Sequence, residues 1–259
     1  MTRDTQPYRA KKSLGQNFLK DDNICRKIVD ALGVEAEEHI IEIGPGQGAL
    51  TRFIVEAEPA RFTALEKDDE LADRLGIEYP TLNIIRMDAL KFPWEELDTP
   101  CRIIGNLPYN VGSKLIWDIV SRASAMRRCV FMVQHEVALR LTADPGCKAY
   151  GGLTAWVRNF CDTRYLFKVP PSVFHPRPKV DSAVVRFEPL PQEEHPEFPE
   201  KLSNLIKLLF QQRRKQLGTI LKKTWSPEIE TWFENHGIDT RLRPENLSPA
   251  QFKSLSRCL

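Results

Sequence analysis

The stretch His39-Ile40-Ile41-Glu42-Ile43-Gly44-Pro45-Gly46-Gln47-Gly48 decides the fold. Its first half is a short run rich in isoleucine, of a length that suits a buried strand and falls short of a helix. Its second half is a glycine turn leading into 49–58, where the pattern becomes helical. Strand, glycine loop and helix in that order open a βαβ unit, and glycines let a backbone approach a ligand closely. The alternation continues with a strand at Arg61–Glu66, a helix over 68–75 and strands over 82–87, 102–105 and 129–134, the last two separated by a helix around 114–120. That order predicts a mostly parallel sheet with right-handed crossovers. Two further strands, 164–169 and 182–187, flank the proline-rich 170–178. With no room for a helix between them, they form an antiparallel hairpin at the sheet edge.

Open α/β sheets bind ligands beyond the carboxyl ends of their strands, so the residues found there carry the functional argument. Gly44, Gly46 and Ala49 satisfy a loose dinucleotide pattern, which by itself is a weak signal. Glu66 ends the second strand, where a carboxylate can accept both hydroxyls of a ribose. Asp88 follows the third, where it can take an adenine amino group; alternatively, each acid simply caps the helix that follows. A glycine loop, a glutamate and an aspartate on three consecutive strand ends favour a nucleoside-bearing cofactor. After the fourth strand comes Asn106-Leu107-Pro108-Tyr109. Pro108 biases Leu107 towards extended backbone, which frees the Leu107 carbonyl. Asn106 Oδ1 and that carbonyl can then both accept from one exocyclic NH2 group, with the Tyr109 ring as a stacking face. Taken alone, the four residues equally fit a capped turn.

Composition narrows the class. At 259 residues and 42% hydrophobic content, the chain can bury a full α/β core with a small appendage. A net charge of +2 is too mild to announce nucleic acid globally. Cys25, Cys101, Cys129, Cys147, Cys161 and Cys258 contain no C-x-x-C pair and no histidine at ligand spacing. No metal site and no disulfide framework are expected, and the thiols read as reduced and cytosolic. No apolar run approaches a membrane span and the N-terminus has no signal-peptide core, so a soluble, cytoplasmic monomer is expected. A basic arm (Arg3, Arg9, Lys11, Lys12) runs into Ser13-Leu14-Gly15-Gln16-Asn17-Phe18-Leu19, whose apolar residues imply that it docks. Asp21 to Asn23 cap a helix with Ile24, Ile28, Val29 and Leu32 on one face, stopped at Gly33. Residues 188–200 read as a linker, dividing the chain into 1–188 and a helical 189–259. Within the latter, Lys201, Lys207, Arg213, Arg214, Lys215, Lys222 and Lys223 occur with no acid in 201–224. An uncompensated basic run on a helix beside Gln211 and Gln212 is expected to meet phosphate.

Four segments together resemble the ribosomal RNA adenine dimethyltransferase family, most closely its small-subunit branch: 13–19, 42–48, 106–110 (Asn-Leu-Pro-Tyr-Asn) and 173–182 (Val-Phe-His-Pro-Arg-Pro-Lys-Val-Asp-Ser). The resemblance spans essentially the whole chain. It implies a Rossmann-like class I methyltransferase sheet with a small C-terminal helical domain. It also implies S-adenosyl-L-methionine as methyl donor, S-adenosyl-L-homocysteine as product, and N6-dimethylation of two adjacent adenosines near the 3′ end of 16S rRNA, with the small ribosomal subunit as partner. On that resemblance Asn17 and Leu19 line the cofactor, Gly44 contacts its methionine part with Gly46 also cofactor-binding, Glu66 meets its ribose, Asp88 its adenine, and Asn106 lies between cofactor and target. Tyr109 stacks on one face of the base. Phe174, on the proline-stiffened loop, is the candidate for the other face, with core packing as its alternative. Thr219 stands where many members carry Asn, and Gly152-Leu153-Thr154 departs from the usual Leu-Ser; both departures bear on RNA contact rather than on the active site. The rival readings are the large-subunit branch linked to antibiotic resistance, a non-catalytic ribosome assembly factor, and a DNA adenine methyltransferase.

Overall fold

The computed structural model describes residues 8–11 and 14–259. Its strands, in chain order, are β1 (Phe18–Leu19), β2 (His39–Ile43), β3 (Arg61–Glu66), β4 (Asn83–Arg86), β5 (Cys101–Asn106), β6 (Met126–Gln134), β7 (Cys161–Val169), β8 (Phe174–His175) and β9 (Ser182–Pro189). Seven of them form one sheet in the order β4-β3-β2-β5-β6-β9-β7. The pairs from β4 through β6 are parallel, and β9 runs antiparallel to both β6 and β7. The expected hairpin is present, with its second strand inserted between β6 and β7 so that β7 becomes the edge. The edge strand is longer than its sequence pattern suggested and bulges between Tyr165 and Phe167, a common device at sheet margins.

All five residues of β2 are buried, as a central parallel strand covered on both faces requires. Side chains alternate across the sheet with period two. Ile41, Ile43, Ile103, Phe131, Val133 and Val185 face one buried cluster, while Ile40, Ile104, Val130, Met132 and Val184 face the other. The second cluster is closed by α1 (Asp22–Leu32) and α2 (Thr51–Glu56). Asp21 caps α1 by accepting from the Ile24 N–H at 3.0 Å, and Gly33 ends it in the left-handed region at φ 65°. The first cluster is closed by α4 (Gly112–Arg122), α5 (His135–Leu141) and α6 (Gly152–Val157), while α3 (Asp69–Glu78) covers the β3–β4 side.

The C-terminal helices α7 (Pro199–Gln211), α8 (Leu217–Leu221), α9 (Pro227–Asn235) and α10 (Pro249–Ser256) share the first cluster. Leu202, Leu205, Ile206 and Leu209 of α7 are buried in it together with Ala155, Trp156 and Val157 of α6. Hydrophobic packing therefore runs continuously across residue 188. The stretch expected to be a free linker is held down: the Leu190 N–H donates to the Phe160 carbonyl at 2.8 Å, and the His195 ring lies edge-on to Phe160. Apolar residues scattered among its prolines and glutamates supply anchors that composition alone does not reveal.

The N-terminal arm docks as expected. β1 pairs antiparallel with β8, Phe18 opposite His175 and Leu19 opposite Phe174, so the arm is tied to the proline-rich loop between β7 and β9. Arg3, Lys12 and Ser13 lie outside the described residues.

Close approach at the centre of the sheet depends on Gly105. A Cβ there would sit 2.7 Å from the Ile43 carbonyl oxygen, a backbone atom of the neighbouring strand that cannot swing away. We expect Gly105→Ala to destabilise the chain by about 2 kcal/mol, roughly 4–8 °C in thermal midpoint, through strand displacement. An unchanged melting curve would show that the sheet accommodates the methyl group.

Candidate active site

The carboxyl ends of β2, β3, β4 and β5 open into one cleft, roofed by the arm residues 14–19. Its empty volume is about 1160 Å³, including solvent at the mouth.

The turn after β2 brings Gly44 and Gly46 to the cleft at φ 63° and 61°, conformations that favour glycine. Among the described residues no atom beyond its chain neighbours lies within 4 Å of where a Gly44 Cβ would stand, so open space borders the backbone there. At Gly46 the Phe18 ring fills that position at 3.0 Å, which is how arm and loop come into contact. Glu66, only 5% exposed, accepts from the Gly46 N–H at 3.1 Å through Oε2 and from the Asp68 N–H at 2.8 Å through Oε1. Burial raises its pKa above the usual value, partly offset by these backbone donors. Asp88 takes the capping role foreseen for it and also borders the cleft. It caps the turn Ala89–Lys91 by accepting from the Leu90 N–H at 3.1 Å, it pairs with Lys67 at 2.8 Å, and it lines the cleft. Burial alone would push its pKa up, but Lys67 and the Leu90 N–H hold it below the ordinary range.

On the opposite wall stands the loop that follows β5. Asn106 Nδ2 donates to the Asn17 carbonyl at 2.9 Å. A carbonyl can only accept, so the amide orientation is determined and Oδ1 is turned away from Asn17 as an available acceptor. The Leu107 side chain is buried and its N–H donates to the Met132 carbonyl at 3.1 Å, while its own carbonyl has no donor among the described residues. The Pro108 carbonyl accepts from the Val111 and Gly112 N–H groups, which closes the turn into α4. Tyr109 is half-buried with its hydroxyl 2.6 Å from Ser182 Oγ, and burial raises its pKa. Asn17 and Leu19 reach the same cleft from the arm.

Phe174 does not line the cleft. It is 5% exposed and belongs to the buried cluster of Leu19, Val169 and Val184, so core packing, the second of its two expected roles, describes its position. The basic run is also rearranged. Residues 212–216 form a turn between α7 and α8 rather than a helix face. Arg213 is compensated in space by Glu245, at 2.6 Å, and donates to the Lys148 carbonyl at 2.7 Å. The acid lies 32 residues downstream, beyond the window in which the run looked uncompensated. Lys215 donates to Gln212, and Lys207 sits 6.0 Å from the centroid of the Trp117 ring. Lys207, Arg214, Lys215, Lys222 and Lys223 are exposed and have no ion-pair partner among the described residues.

Two features were not foreseen. Glu42 is 1% exposed, lines the cleft and accepts from Thr51 Oγ1 at 2.7 Å. The signal was available, since it is the one carboxylate in a strand buried on both faces. Asp68 anchors the arm: its Oδ2 accepts from Tyr8 Oη at 2.8 Å and pairs with Lys11 at 2.7 Å, while its Oδ1 caps α3. No local pattern marks Tyr8 or Lys11 for that contact. Among the described residues no cluster of three or more His, Cys, Asp or Glu could hold a metal ion, and no helix is long and apolar enough to cross a membrane.

Burial pushes the Glu42 pKa to about 8 from its ordinary 4.5, with Thr51 lowering it and Glu66 raising it. The folded chain thus holds a proton that the unfolded chain has released. Stability from this group is fully present below pH 4.5 and is lost as pH rises towards 8. We expect Glu42→Gln to flatten the pH dependence of the ligand-free protein across that window in urea titrations. Parallel profiles for the two proteins would refute the assignment.

Comparison with known proteins agrees with this geometry. A family model described as ribosomal RNA adenine dimethylase matches residues 8–259. The ribosomal RNA small subunit methyltransferase A of Maridesulfovibrio salexigens is 57% identical over 250 residues, covering 96% of this chain and 95% of that protein. Among solved structures, a dimethyladenosine transferase from Plasmodium falciparum superposes with a TM-score of 0.77 at 25% identity, covering 92% of this chain and 95% of that one. The 23S rRNA methyltransferase ErmE shares the fold with a TM-score of 0.70 at 22% identity, covering 93% and 99% of the respective chains. A match along nearly its whole length, with the Asn106 loop facing the Gly44, Glu66 and Asp88 wall, makes this chain a member of the ribosomal RNA adenine dimethylase family.

Proposed function

We propose that the protein transfers methyl groups from S-adenosyl-L-methionine to N6 of two adjacent adenosines near the 3′ end of small-subunit rRNA. The observation that carries the reading is the pair of acceptors without a donor among the described residues, Asn106 Oδ1 and the Leu107 carbonyl, in the cleft that Tyr109, Glu66 and Asp88 also line. The small-subunit assignment is supported by the names of relatives at 57% and 50% identity.

The residues present suit the cofactor. Gly44 leaves open space for its amino-acid portion, the Glu66 carboxylate retains lone pairs for ribose hydroxyls, and Asp88 can accept from the adenine amino group. Asn17 and Leu19 cover it from the arm, and Gly46 holds the loop against Glu66. When bound, the cofactor supplies a methyl group already activated on a sulfonium centre.

The chain's own task is to prepare the nucleophile. An adenine amino nitrogen is weakly nucleophilic because its lone pair is delocalised into the ring. Acceptors at Asn106 Oδ1 and the Leu107 carbonyl favour the tetrahedral nitrogen whose lone pair points away from the ring plane, which stabilises the transition state selectively. Holding the two reactants in line supplies a further large share. Once the nitrogen is alkylated its N–H is acidic, and the proton leaves to solvent without a dedicated base. After the first transfer one N–H remains and after the second none, so these acceptors cannot be the sole anchor of the base. Tyr109 stacking on a base taken out of its helix or loop supplies the rest.

Residues 189–259 are assigned to RNA contact, through exposed Lys207, Arg214, Lys215, Lys222 and Lys223. Arg213 is set apart as a structural cation because Glu245 neutralises it. A monomer acting in the cytoplasm on the small ribosomal subunit is the corresponding setting.

Incubation of unmethylated small and large ribosomal subunits with labelled cofactor tests the proposal directly. Label is expected in the small subunit as N6,N6-dimethyladenosine at two neighbouring positions; label confined to the large subunit would overturn the substrate assignment. Asn106→Ala should lower the methyl-transfer rate about a hundredfold or more, as loss of a preorganised transition-state partner does. A wild-type rate would remove the acceptor mechanism. Replacing Arg214, Lys222 and Lys223 together by Ala should weaken RNA binding and reduce the slope of affinity against salt, while cofactor affinity stays constant. An unchanged slope would place the RNA elsewhere.

A further inference from the structure

Tyr109 hangs from a loop outside the sheet, and among the described residues its hydroxyl has one polar partner, Ser182 Oγ, at 2.6 Å. The two ends of that bond differ in freedom. Ser182 is fully buried at the start of β9, where its Cα pairs with Gln134 at the end of β6 and with Val169 at the end of β7. The preceding residue is pinned as well: the Asp181 carbonyl accepts from the His135 N–H at 2.9 Å, and its carboxylate pairs with Lys168 at 2.7 Å. Ser182 Oγ is therefore a point fixed by three strands. The Tyr109 ring can turn about its side-chain bonds, and a half-buried phenol could satisfy its hydroxyl with water instead. The bond consequently selects one orientation of the ring rather than meeting an otherwise unmet need.

We propose that Ser182 is a positioning residue for methyl transfer: through its bond to the Tyr109 hydroxyl it sets the plane in which that ring meets the target base. The inference rests on the reading of Tyr109 as the stacking residue. It explains why the segment Val180-Asp181-Ser182, distant in sequence from the Asn106 loop, belongs to the site although Ser182 does not border the cleft.

Single-turnover and steady-state methylation of small subunits by the wild type, S182A, Y109F, S182A/Y109F and Y109A tests it. S182A and Y109F each cut the same bond, so each should lower kcat by about fivefold to tenfold, the range of one hydrogen bond. KM for the cofactor should not move, and the double variant should be no slower than either single one. A purely structural role for Ser182 predicts instead that its effect multiplies with that of Y109F, and that outcome overturns the proposal. So does a wild-type kcat for Y109F, which keeps the test valid if S182A folds poorly. Y109A at the wild-type rate would instead overturn the stacking reading itself. A slow Y109A with multiplying S182A and Y109F effects would leave that reading standing and remove Ser182 alone.

Discussion

The Glu66 carboxylate is the joint on which the cleft depends. Its two oxygens accept N–H groups from Gly46, in the turn after β2, and from Asp68, in the turn after β3. Two strand ends that parallel pairing merely places side by side are thereby locked at one distance. Asp68 extends the lock outward, since its own carboxylate caps α3 and receives Tyr8 and Lys11. A buried acid that meets backbone donors and still borders a cavity retains unfilled lone pairs, the property a diol-binding group needs. The same burial disfavours the charged forms of Glu66 and of fully buried Glu42, whose pKa values are both raised.

A second joint couples the arm to the chemistry. The Asn17 carbonyl receives Asn106 Nδ2 and thereby determines which end of the amide stays available. The arm reaches that position through the pairing of β1 with β8 and the contact of Phe18 with Gly46. The arm, the Gly46 turn and the Asn106 loop are thus parts of one connected structure. Displacement of the arm would remove the roof of the cleft and, in the same movement, free the Asn106 side chain.

The C-terminal helices belong to the same mechanical unit as the sheet. α7 packs on α6 in the cluster that lies under β5 and β6, so exposed cations on the helical part keep a defined distance from the Asn106 loop.

Much of this was legible in the sequence, for reasons of period and place. The alternation of buried runs with glycine and helical segments specified the parallel sheet, and position at successive strand ends marked Gly44, Glu66, Asp88 and Asn106, because those features depend on local spacing. The strand with which the arm pairs, the compensation of Arg213 by Glu245 and the choice between the two roles of Phe174 were not legible, since each is settled by a partner far away in the chain. The bond from Ser182 to Tyr109 spans 73 residues and has no local signature. By itself the sequence determined the fold class, the family and the strand ends that line the cleft, because backbone geometry and hydrophobic period act over a few residues. Only the tertiary structure decided which lone pairs remain free, which charges are neutralised and which ring is held, because those depend on distances that sequence separation does not encode.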